Sequence, residues 1–239
     1  MRLLVTRPEP DARRTAAMLS ARGHRVQVAP LLAIQMIPGA DIGRPPWHAV
    51  LMTSANAARA IARHPKLPQL RGLAVLAVGL RTAEAAHDAG FPDVDSAEGG
   101  AGDLIRLVER RFGRGARLLY LAGTDRARDL TADLATAGIE ARTVEVYRAH
   151  AAEELPPGTV AALRASELDG VLHFSRRTAE IFVQCAKRAG VLAEGLRLLQ
   201  FCISAHAAEP LARAGAQAEN IRIAAQPDED ALVGLIGPP

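Results

Sequence analysis

The chain has 239 residues, of which 49% are apolar and 23% charged, and its formal net charge at pH 7 is +3. So small a charge, with no runs of Lys or Arg and only 3% aromatic residues, argues against a nucleic-acid partner. No apolar run approaches the ~20 residues that a membrane-spanning helix needs, so we expect no membrane protein. The length suits one large α/β domain or two small ones.

The predicted elements alternate between short β-branched runs and longer runs of Ala, Leu and Arg, which predicts an α/β fold with parallel sheets flanked by helices. In chain order, the predicted strands are Leu3–Thr6, Arg25–Val28, Ala49–Met52, Ala74–Val78, Leu118–Leu121, Ala141–Val146, Gly170–Phe174, Leu199–Ile203 and Asn220–Ala224. The predicted helices are Pro10–Arg22, Ala55–Arg63, Leu80–Ala89, Arg126–Ala137, Arg176–Ala189 and Ala205–Ala214.

An internal repeat relates the two halves of the chain. The matching pairs are His48–Ser54 with Asp169–Ser175, Val75–Gly90 with Gln200–Gly215 and, more faintly, Arg14–Val28 with Thr131–Val144. The period is about half the chain, which is too long for a solenoid unit. We therefore expect two similar lobes, with a ligand-binding cleft between them.

Two stretches rich in Pro and Gly interrupt the alternation, near residues 30–46 and 147–158. We interpret both as crossings between the lobes. The chain would then leave the first lobe, build the second and return. The prediction is a discontinuous lobe 1 of residues 1–37 and 150–239, and a lobe 2 of residues 44–146.

Polar or glycine residues stand at the junctions where predicted strands end and helices begin. They are Arg7, Ser54, Asn56, Gly79, Thr82, Arg126, Ser175, Arg176, Ser204 and His206. Ligands of parallel sheets bind outside the carboxyl ends of the strands, and helix N-termini there attract carboxylates and phosphates. An ordinary helix N-cap explains any single Ser or Thr equally well. Their recurrence in both halves favours an anion-binding rim.

The cations and cysteines suggest a small anionic partner and a reducing compartment. Lys66 and Lys187 are the only lysines, and the planar fork of arginine matches carboxylates, although genomic composition explains the same bias. Cys185 and Cys202 form neither a CxxC pair nor a zinc spacing, which favours reduced thiols. No apolar stretch followed by a cleavage site opens the chain, so we predict a cytoplasmic protein.

Familiar catalytic motifs do not occur: the sequence has no GxGxxG after a strand, no Walker A, no GxSxG and no HExxH. Metal and nucleotide chemistry are therefore disfavoured. His206 and Glu209 are expected to form a surface pair, and Asp228–Asp230 a solvated helix cap. Tyr147 ends a strand at a crossing, where its phenol could donate a proton to a leaving group or simply pack at an interface. Tyr120 is expected in the core.

Several of these pieces, in this order and spacing, resemble the uroporphyrinogen-III synthase family over nearly the whole chain. They are Val5–Pro8, Leu51–Asn56, Val78–Ala83, Leu118–Gly123 with Arg126–Leu130, Val146–Arg148, His173–Ser175 and Cys202–Ser204. The resemblance implies two lobes joined by a two-stranded linker, a discontinuous first lobe, no cofactor, a monomer and a place in haem biosynthesis. It also implies a polycarboxylate linear tetrapyrrole substrate, hydroxymethylbilane, which is cyclised with loss of water and inversion of the last pyrrole ring.

The resemblance also assigns roles, with two departures. The residue matching Tyr147 is the family's best candidate for assisting departure of the hydroxyl, and the threonine matching Thr82 lies in the cleft. Ser204 and His206 stand where the family usually has Gly and Thr. Ala122 stands where an arginine is common, so that carboxylate contact is either absent or moved to Arg126 or Arg128. A second hypothesis of another class is a two-lobed binding module or sensor for an anionic small metabolite.

Overall fold

The computed structural model describes residues 1–97, 99–125 and 130–237. Its strands are β1 (Arg2–Val5), β2 (Arg25–Val28), β3 (Leu32–Met36), β4 (Ala49–Met52), β5 (Ala74–Ala77), β6 (Val94–Ser96), β7 (Arg117–Gly123), β8 (Glu140–Ala151), β9 (Gly170–His173), β10 (Leu199–Cys202) and β11 (Ile221–Ile223). Its helices are α1 (Asp11–Ala21), α2 (Ala55–Ile61), α3 (Leu67–Leu70), α4 (Leu80–Asp88), α5 (Ala101–Arg111), α6 (Leu130–Thr136), α7 (Pro157–Arg164), α8 (Arg176–Arg188), α9 (Leu192–Arg197), α10 (Ala205–Arg213) and α11 (Glu229–Gly234).

The chain divides into two compact units. The first comprises Met1–Ala33 and His150–Pro239, and the second is Ile34–Ala149. The chain therefore passes into the second unit within β3 and leaves it near the end of β8. Among the described residues, no helix combines the length and the apolar composition needed to cross a bilayer.

The first unit is built on a parallel sheet of five strands in the order β11-β10-β9-β1-β2. The strand β1 is interior to the sheet, because Leu3 lies opposite Val26 of β2 on one side and Gly170 of β9 on the other. Leu3, Leu4 and Val5 are all fully buried, as a strand covered by helices on both faces requires. One face packs against apolar residues of α1 and α11.

The second unit is built on a six-stranded sheet in the order β3-β8-β7-β4-β5-β6, parallel from β8 to β6. The backbone alternation of β4 separates two cores. Val50 and Met52 join the helices α2 and α4 on one face, whereas Ala49 and Leu51 join α5 and α6 on the other. This burial on both faces explains why the strand is apolar at every position.

The two sheets repeat one strand order, which confirms the internal repeat expected from the sequence. In that order β11, β10, β9, β1 and β2 of the first unit correspond to β6, β5, β4, β7 and β8 of the second. In both sheets the strand order reverses once, between β9 and β1 and between β4 and β7. Such reversals open a crevice at the carboxyl ends of the two strands.

The region of residues 30–46, expected as an irregular crossing, contains the strand β3. Backbone bonds from the Ile37 nitrogen to the Val146 oxygen (2.8 Å) and from the Ala152 nitrogen to the Leu31 oxygen (2.9 Å) flank its pairing with β8. β8 runs to Ala151, so much of the second expected crossing is strand as well. The prolines of this region lie at the ends of β3 and do not prevent a strand, because an edge strand tolerates proline nearby.

Five helices, α3, α5, α7, α9 and α11, are absent from the predicted set, although the sequence does predict a helix cap where α11 begins. Each is amphipathic or short and follows a stretch with Gly or Pro, which obscured its periodicity. α5 begins after Gly100, whose backbone nitrogen donates to the Asp103 carboxylate over 2.8 Å. That bond also holds the pKa of Asp103 below its ordinary value.

A buried polar pair joins two neighbouring strands of the first unit. The Gln200 side-chain nitrogen donates to the backbone oxygens of Gly195 (2.8 Å) and Leu198 (2.9 Å), which orients its amide. Its oxygen therefore accepts from Nε2 of His173 over 3.0 Å. Nδ1 of His173 is buried without a partner among the described residues. Burial therefore lowers the pKa of His173 from 6.5 to about 4, because a proton on Nδ1 would have no acceptor.

This histidine makes folding stability depend on pH. The unfolded chain binds a proton at His173 below pH 6.5 and the folded chain does so only near pH 4, so the stabilisation present above pH 6.5 is lost as the pH falls between these values. We expect this site to lower the free energy of unfolding by up to about 3 kcal/mol across that interval. Urea denaturation of wild type and His173→Gln at pH 7 and pH 4.5 measures the effect. The free energy of unfolding of His173→Gln should depend less on pH than that of wild type, whereas His206→Gln, at an exposed position, should match wild type. The same pH dependence in all three proteins would contradict this role of His173.

Candidate functional site

The carboxyl edge of the second sheet carries Ser54, Asn56, Gly79 and Thr82. The strand β4, which precedes Ser54, lies between β5 and β7, so the junctions that follow these three strands are neighbours. Ser54 Oγ accepts from the Asn56 backbone nitrogen over 3.2 Å and caps α2. The side-chain oxygen of Asn56 accepts from the Arg59 guanidinium over 3.0 Å. Ser54 is thus an N-cap as well as a rim residue.

The junction between β5 and α4 combines a glycine cap with an exposed apolar side chain. Gly79 caps α4 in an extended conformation, and a Cβ atom there would meet nothing within 4 Å. Leu80 follows with 61% of its surface exposed, an unusual state for a leucine. Thr82 lies one turn inward and is 5% exposed. Backbone N–H groups at the start of this nine-residue helix are therefore reachable beside an apolar contact.

Tyr147 lies on β8 at the point where its neighbour β7 ends. A register shift between Ala122 and Gly123 places Gly123 opposite Tyr147. The Tyr147 ring packs so closely on Gly123 that a Cβ atom there would lie 2.7 Å from Cζ and 2.9 Å from the hydroxyl oxygen. The Tyr147 carbonyl also accepts from the Thr124 nitrogen over 3.0 Å. These contacts fix the phenol at the carboxyl edge, next to the strand-order reversal.

Tyr120 has a different environment, as the sequence predicts. It is 3% exposed in the core between β7 and the helices α5 and α6. Its hydroxyl is 2.9 Å from Oγ1 of Thr53, at the end of the adjacent strand. Its polar group is therefore satisfied internally.

The carboxyl edge of the first sheet carries Ser175 and Ser204 on adjacent strands. Ser175 Oγ accepts from the Thr178 nitrogen over 3.1 Å, and Ser204 Oγ accepts from the Ala207 nitrogen over 3.3 Å. They cap α8 and α10, whose N-termini therefore lie side by side. Ser204 occupies the position that Gly79 holds in the second unit, and both residues are N-caps.

Arg176 and His206, at the first turns of these two helices, meet at a shared carboxylate. Arg176 contacts Glu180 over 2.8 Å and Glu209 over 3.1 Å, and Nδ1 of His206 is 3.2 Å from Glu209. The bond from His206, with Arg176 and Arg213 nearby, lowers the pKa of Glu209. The surface pair of His206 and Glu209 expected from the sequence is confirmed.

Arg7 is held inside the first unit. Its guanidinium contacts Glu229 over 3.0 Å and Asp11 over 3.8 Å, and it stacks on the Phe174 ring at 4.0 Å from the centroid. Burial lowers the pKa of Arg7, and the nearby carboxylates oppose that shift. The expectation of a solvated cap at Asp228–Asp230 is only half right. Asp228 caps α11 over 2.7 Å, but the Glu229 side chain is buried as the counter-charge of Arg7 and Arg14.

Arg126, and with it Arg128, lies outside the described residues. The remaining predicted site residues divide between the two units, each set at the carboxyl edge of its own sheet. Among residues 1–97, 99–125 and 130–237, no group of three His, Cys, Asp or Glu side chains is arranged to hold a metal ion.

Sequence reasoning did not single out Leu80 or Gly123. An apolar residue at the first position of a helix, directly after a glycine cap, was the available signal for Leu80. The role of Gly123 depends on the position of Tyr147, 24 residues later, and could not be found from a local pattern.

Two α/β units of common topology, with polar helix N-termini at the carboxyl edge of each parallel sheet, define a two-lobed α/β protein. The sequence profile of the family described as uroporphyrinogen-III synthase HemD matches residues 13–234. The chain belongs to this family, whose members are cyclising lyases of haem biosynthesis. A search of curated protein sequences gives no match.

Solved structures with this fold include two of the same family. A uroporphyrinogen-III synthetase from Helicobacter pylori is 20% identical, with a TM-score of 0.65 over 98% of both chains. A mutant uroporphyrinogen III synthase from Thermus thermophilus is 18% identical, with a TM-score of 0.57 over 98% of this chain and 97% of the other. At these identities the likeness supports the fold, and the membership follows from the profile.

The close approach of Tyr147 to Gly123 can be measured as a stability difference. Gly123→Ala should lower the free energy of unfolding by about 1–3 kcal/mol, because the methyl group collides with the ring. Gly79→Ser, at an open position of the same edge, should change it by less than about 0.5 kcal/mol. Urea denaturation checks both. In a Tyr147→Ala background, Gly123→Ala should lower the free energy of unfolding much less, because the ring with which the methyl group collides is gone. An equal loss with and without the ring would contradict the packing.

Proposed function

We propose that this chain converts linear hydroxymethylbilane into uroporphyrinogen III, with inversion of the last pyrrole ring and loss of one water molecule. The observation that carries the proposal is the family match over residues 13–234. The described edges of both sheets are chemically suited to such a substrate, which is a flexible chain bearing many carboxylates. Its two ends must be brought together, and orientation alone contributes several kcal/mol to such a ring closure.

The substrate's carboxylates would bind at the helix N-termini. α4, α8 and α10 each start at the carboxyl end of a parallel strand, where unpaired N–H groups and the helix dipole favour anions. Gly79 and Thr82 serve one carboxylate in this proposal, and Ser175 and Ser204 serve others through their helix starts. Ser54 and Asn56 complete the rim of the second sheet.

Cationic side chains would add to this attraction. Arg176 is one-third exposed and His206 two-thirds exposed, so both can turn from Glu209 towards a substrate carboxylate. Arg7 is the weakest member of the proposed set, because Glu229 and Asp11 already neutralise it. Arg126 remains in the set on sequence grounds alone.

Tyr147 is the proposed proton donor. A phenol is protonated at neutral pH and can assist a leaving hydroxyl without any metal. In this scheme the Tyr147 proton and the terminal hydroxyl depart as water, and the last ring attacks through its substituted carbon to form a spiro intermediate. The bond from that carbon to its original bridging carbon then breaks, and the unsubstituted carbon of the same ring bonds to the freed bridge in its place. The proton lost from that carbon restores the phenol, so the ring is inverted and the net change is loss of water.

Leu80 would contribute through contact with the substrate's rings. Pyrrole faces are apolar, and an exposed leucine beside the anion-binding start of α4 offers them a matching surface. The junction between β5 and α4 would therefore offer a carboxylate contact and an apolar contact to the same amphipathic ligand.

The proposal also covers the oligomeric state of the protein and its location in the cell. We expect a monomer in the cytoplasm, without a nucleic-acid partner. Both cysteines are buried and free, which suits a reducing compartment.

The decisive assay supplies freshly prepared hydroxymethylbilane and separates the product isomers. Spontaneous closure yields the symmetric isomer I, so the protein should make isomer III dominate in a protein-dependent manner. A product mixture identical to the protein-free reaction would refute the proposed function. Heat-denatured protein is the control for trace catalysis.

Tyr147→Phe should lower kcat by about 10- to 100-fold while leaving KM within about twofold, because it removes only the proton donor. Tyr120→Phe is the matched control, since it removes a tyrosine hydroxyl from the same sheet inside the core. It should cost about 1 kcal/mol of stability and leave kcat unchanged. Steady-state kinetics with isomer analysis tests both; unaltered kcat in Tyr147→Phe would remove this residue from its role.

A further inference from the structure

A polar cavity lies at the amino-terminal edge of the six-stranded sheet, opposite the carboxyl edge that carries the proposed site. It has a volume of about 700 Å³ and lies entirely within the second unit. Arg117 and Glu140 line it as the first residues of β7 and β8, and Trp47 lines it two residues before β4. Because β4, β7 and β8 are parallel, this cavity is at the other end of the sheet from Ser54, Gly79 and Tyr147.

The cavity is rich in cations. Arg44, Lys66, Arg117 and Arg142 line it, against the two carboxylates of Asp41 and Glu140. The local excess of two positive charges is concentrated in one concave surface, which raises the local concentration of anions.

Part of this surface is fixed in place. Asp41 Oδ1 accepts from the Gly43 nitrogen over 3.0 Å, and Asp41 Oδ2 is 3.0 Å from Arg142. Gly43 has a φ of +72°, and a Cβ atom there would lie 2.7 Å from the Arg142 guanidinium. The same segment is anchored by buried His64, whose Nε2 bonds to the Ala40 oxygen over 2.9 Å. Asp41 therefore holds the Arg142 fork beside Gly43, where the positive φ would strain a residue with a side chain.

Other donors have spare capacity. Arg117 reaches Glu140 through Nε alone, over 3.4 Å, which leaves most of its five N–H donors available. Lys66 is 3.9 Å from Asp41, beyond hydrogen-bond distance. Arg44 is exposed, and no hydrogen bond or ion pair joins its guanidinium to the rest of the described chain. Three cationic groups thus face or border the cavity with donors that a bound anion could use.

Trp47 supplies an independent observation. It is 7% exposed, and its indole nitrogen is buried without a hydrogen-bond partner among the residues that the structure describes. The Arg117 guanidinium lies over its ring, 5.1 Å from the centroid. A buried indole N–H that lacks an acceptor costs free energy, and an acceptor brought by a ligand would satisfy it.

From these features we infer that the cavity is a binding site for a small multivalent anion bearing carboxylate or phosphate groups. Arg142 and Arg117 provide planar forks that suit either group, and Arg44 and Lys66 close the site from the exposed side. The site is separate from the proposed catalytic edge and does not depend on the proposed function.

The chain offers a direct probe, because Trp47 is its only tryptophan. Its fluorescence is followed while citrate or pyrophosphate is titrated into the intact protein, with NaCl at matched ionic strength as the reference. We expect saturable binding of at least one of the two anions, and their relative affinities identify carboxylate or phosphate as the preferred group. A response no different from that to NaCl would overturn the proposal.

Substitutions then show whether the fluorescence change arises from anion binding in this cavity. Arg44→Gln should weaken binding about tenfold without affecting the fold, because its side chain is exposed and makes no contact to lose. Arg110→Gln, on the exposed surface of α5, is the matched control and should bind as wild type. Equal affinity in Arg44→Gln and Arg110→Gln would overturn the site. Weakening by Arg176→Gln instead would assign the anion to the first unit and overturn it as well.

Discussion

The pairing of the N-terminal strand β1 between β2 and β9 is the constraint on which the first unit depends. Leu3, Leu4 and Val5 are fully buried there, and their backbone bonds join residues separated by most of the chain. The ion pair of Arg7 with Glu229 adds a second tie between the two ends. Without β1 the sheet would lose an interior strand, and β9, which leads into the junction at Ser175, would lose its neighbour on one side.

The proposed site relies on groups that also hold the fold together. Ser54, Ser175 and Ser204 each accept a bond from their own helix, so their hydroxyls serve local structure first. In the proposed function these edges would bind carboxylates mainly through backbone N–H groups, which every residue except proline supplies. The fold itself tolerates wide divergence of sequence, since the two solved structures that share it are only about one-fifth identical to this chain.

The buried strands could be predicted, because continuous apolar runs such as Leu3–Val5 record burial on both faces, and the likeness of the two units could be predicted from the internal repeat. The edge strand β3 could not, since flanking prolines dominate its local pattern. The acidic run Asp228–Asp230 predicts a solvated Glu229, whereas the burial of Glu229 depends on its ion pair with Arg7, over 200 residues earlier. The contact between Tyr147 and Gly123 was equally hidden, because both residues are ordinary in their own segments.

The discontinuity of the first unit has a consequence for synthesis on the ribosome. Every strand of the second unit from β4 to β8 is contiguous in the chain, so that unit can close as soon as it emerges. β1 and β2 must wait for β9, about 140 residues after β2, which at ordinary elongation rates is roughly 7–30 s. During that interval β1, with its apolar residues Leu3, Leu4 and Val5, has no partner on one side. Until β9 arrives, β1 therefore has an unpaired edge that a chaperone could bind, and the first unit closes only after the second has been synthesised.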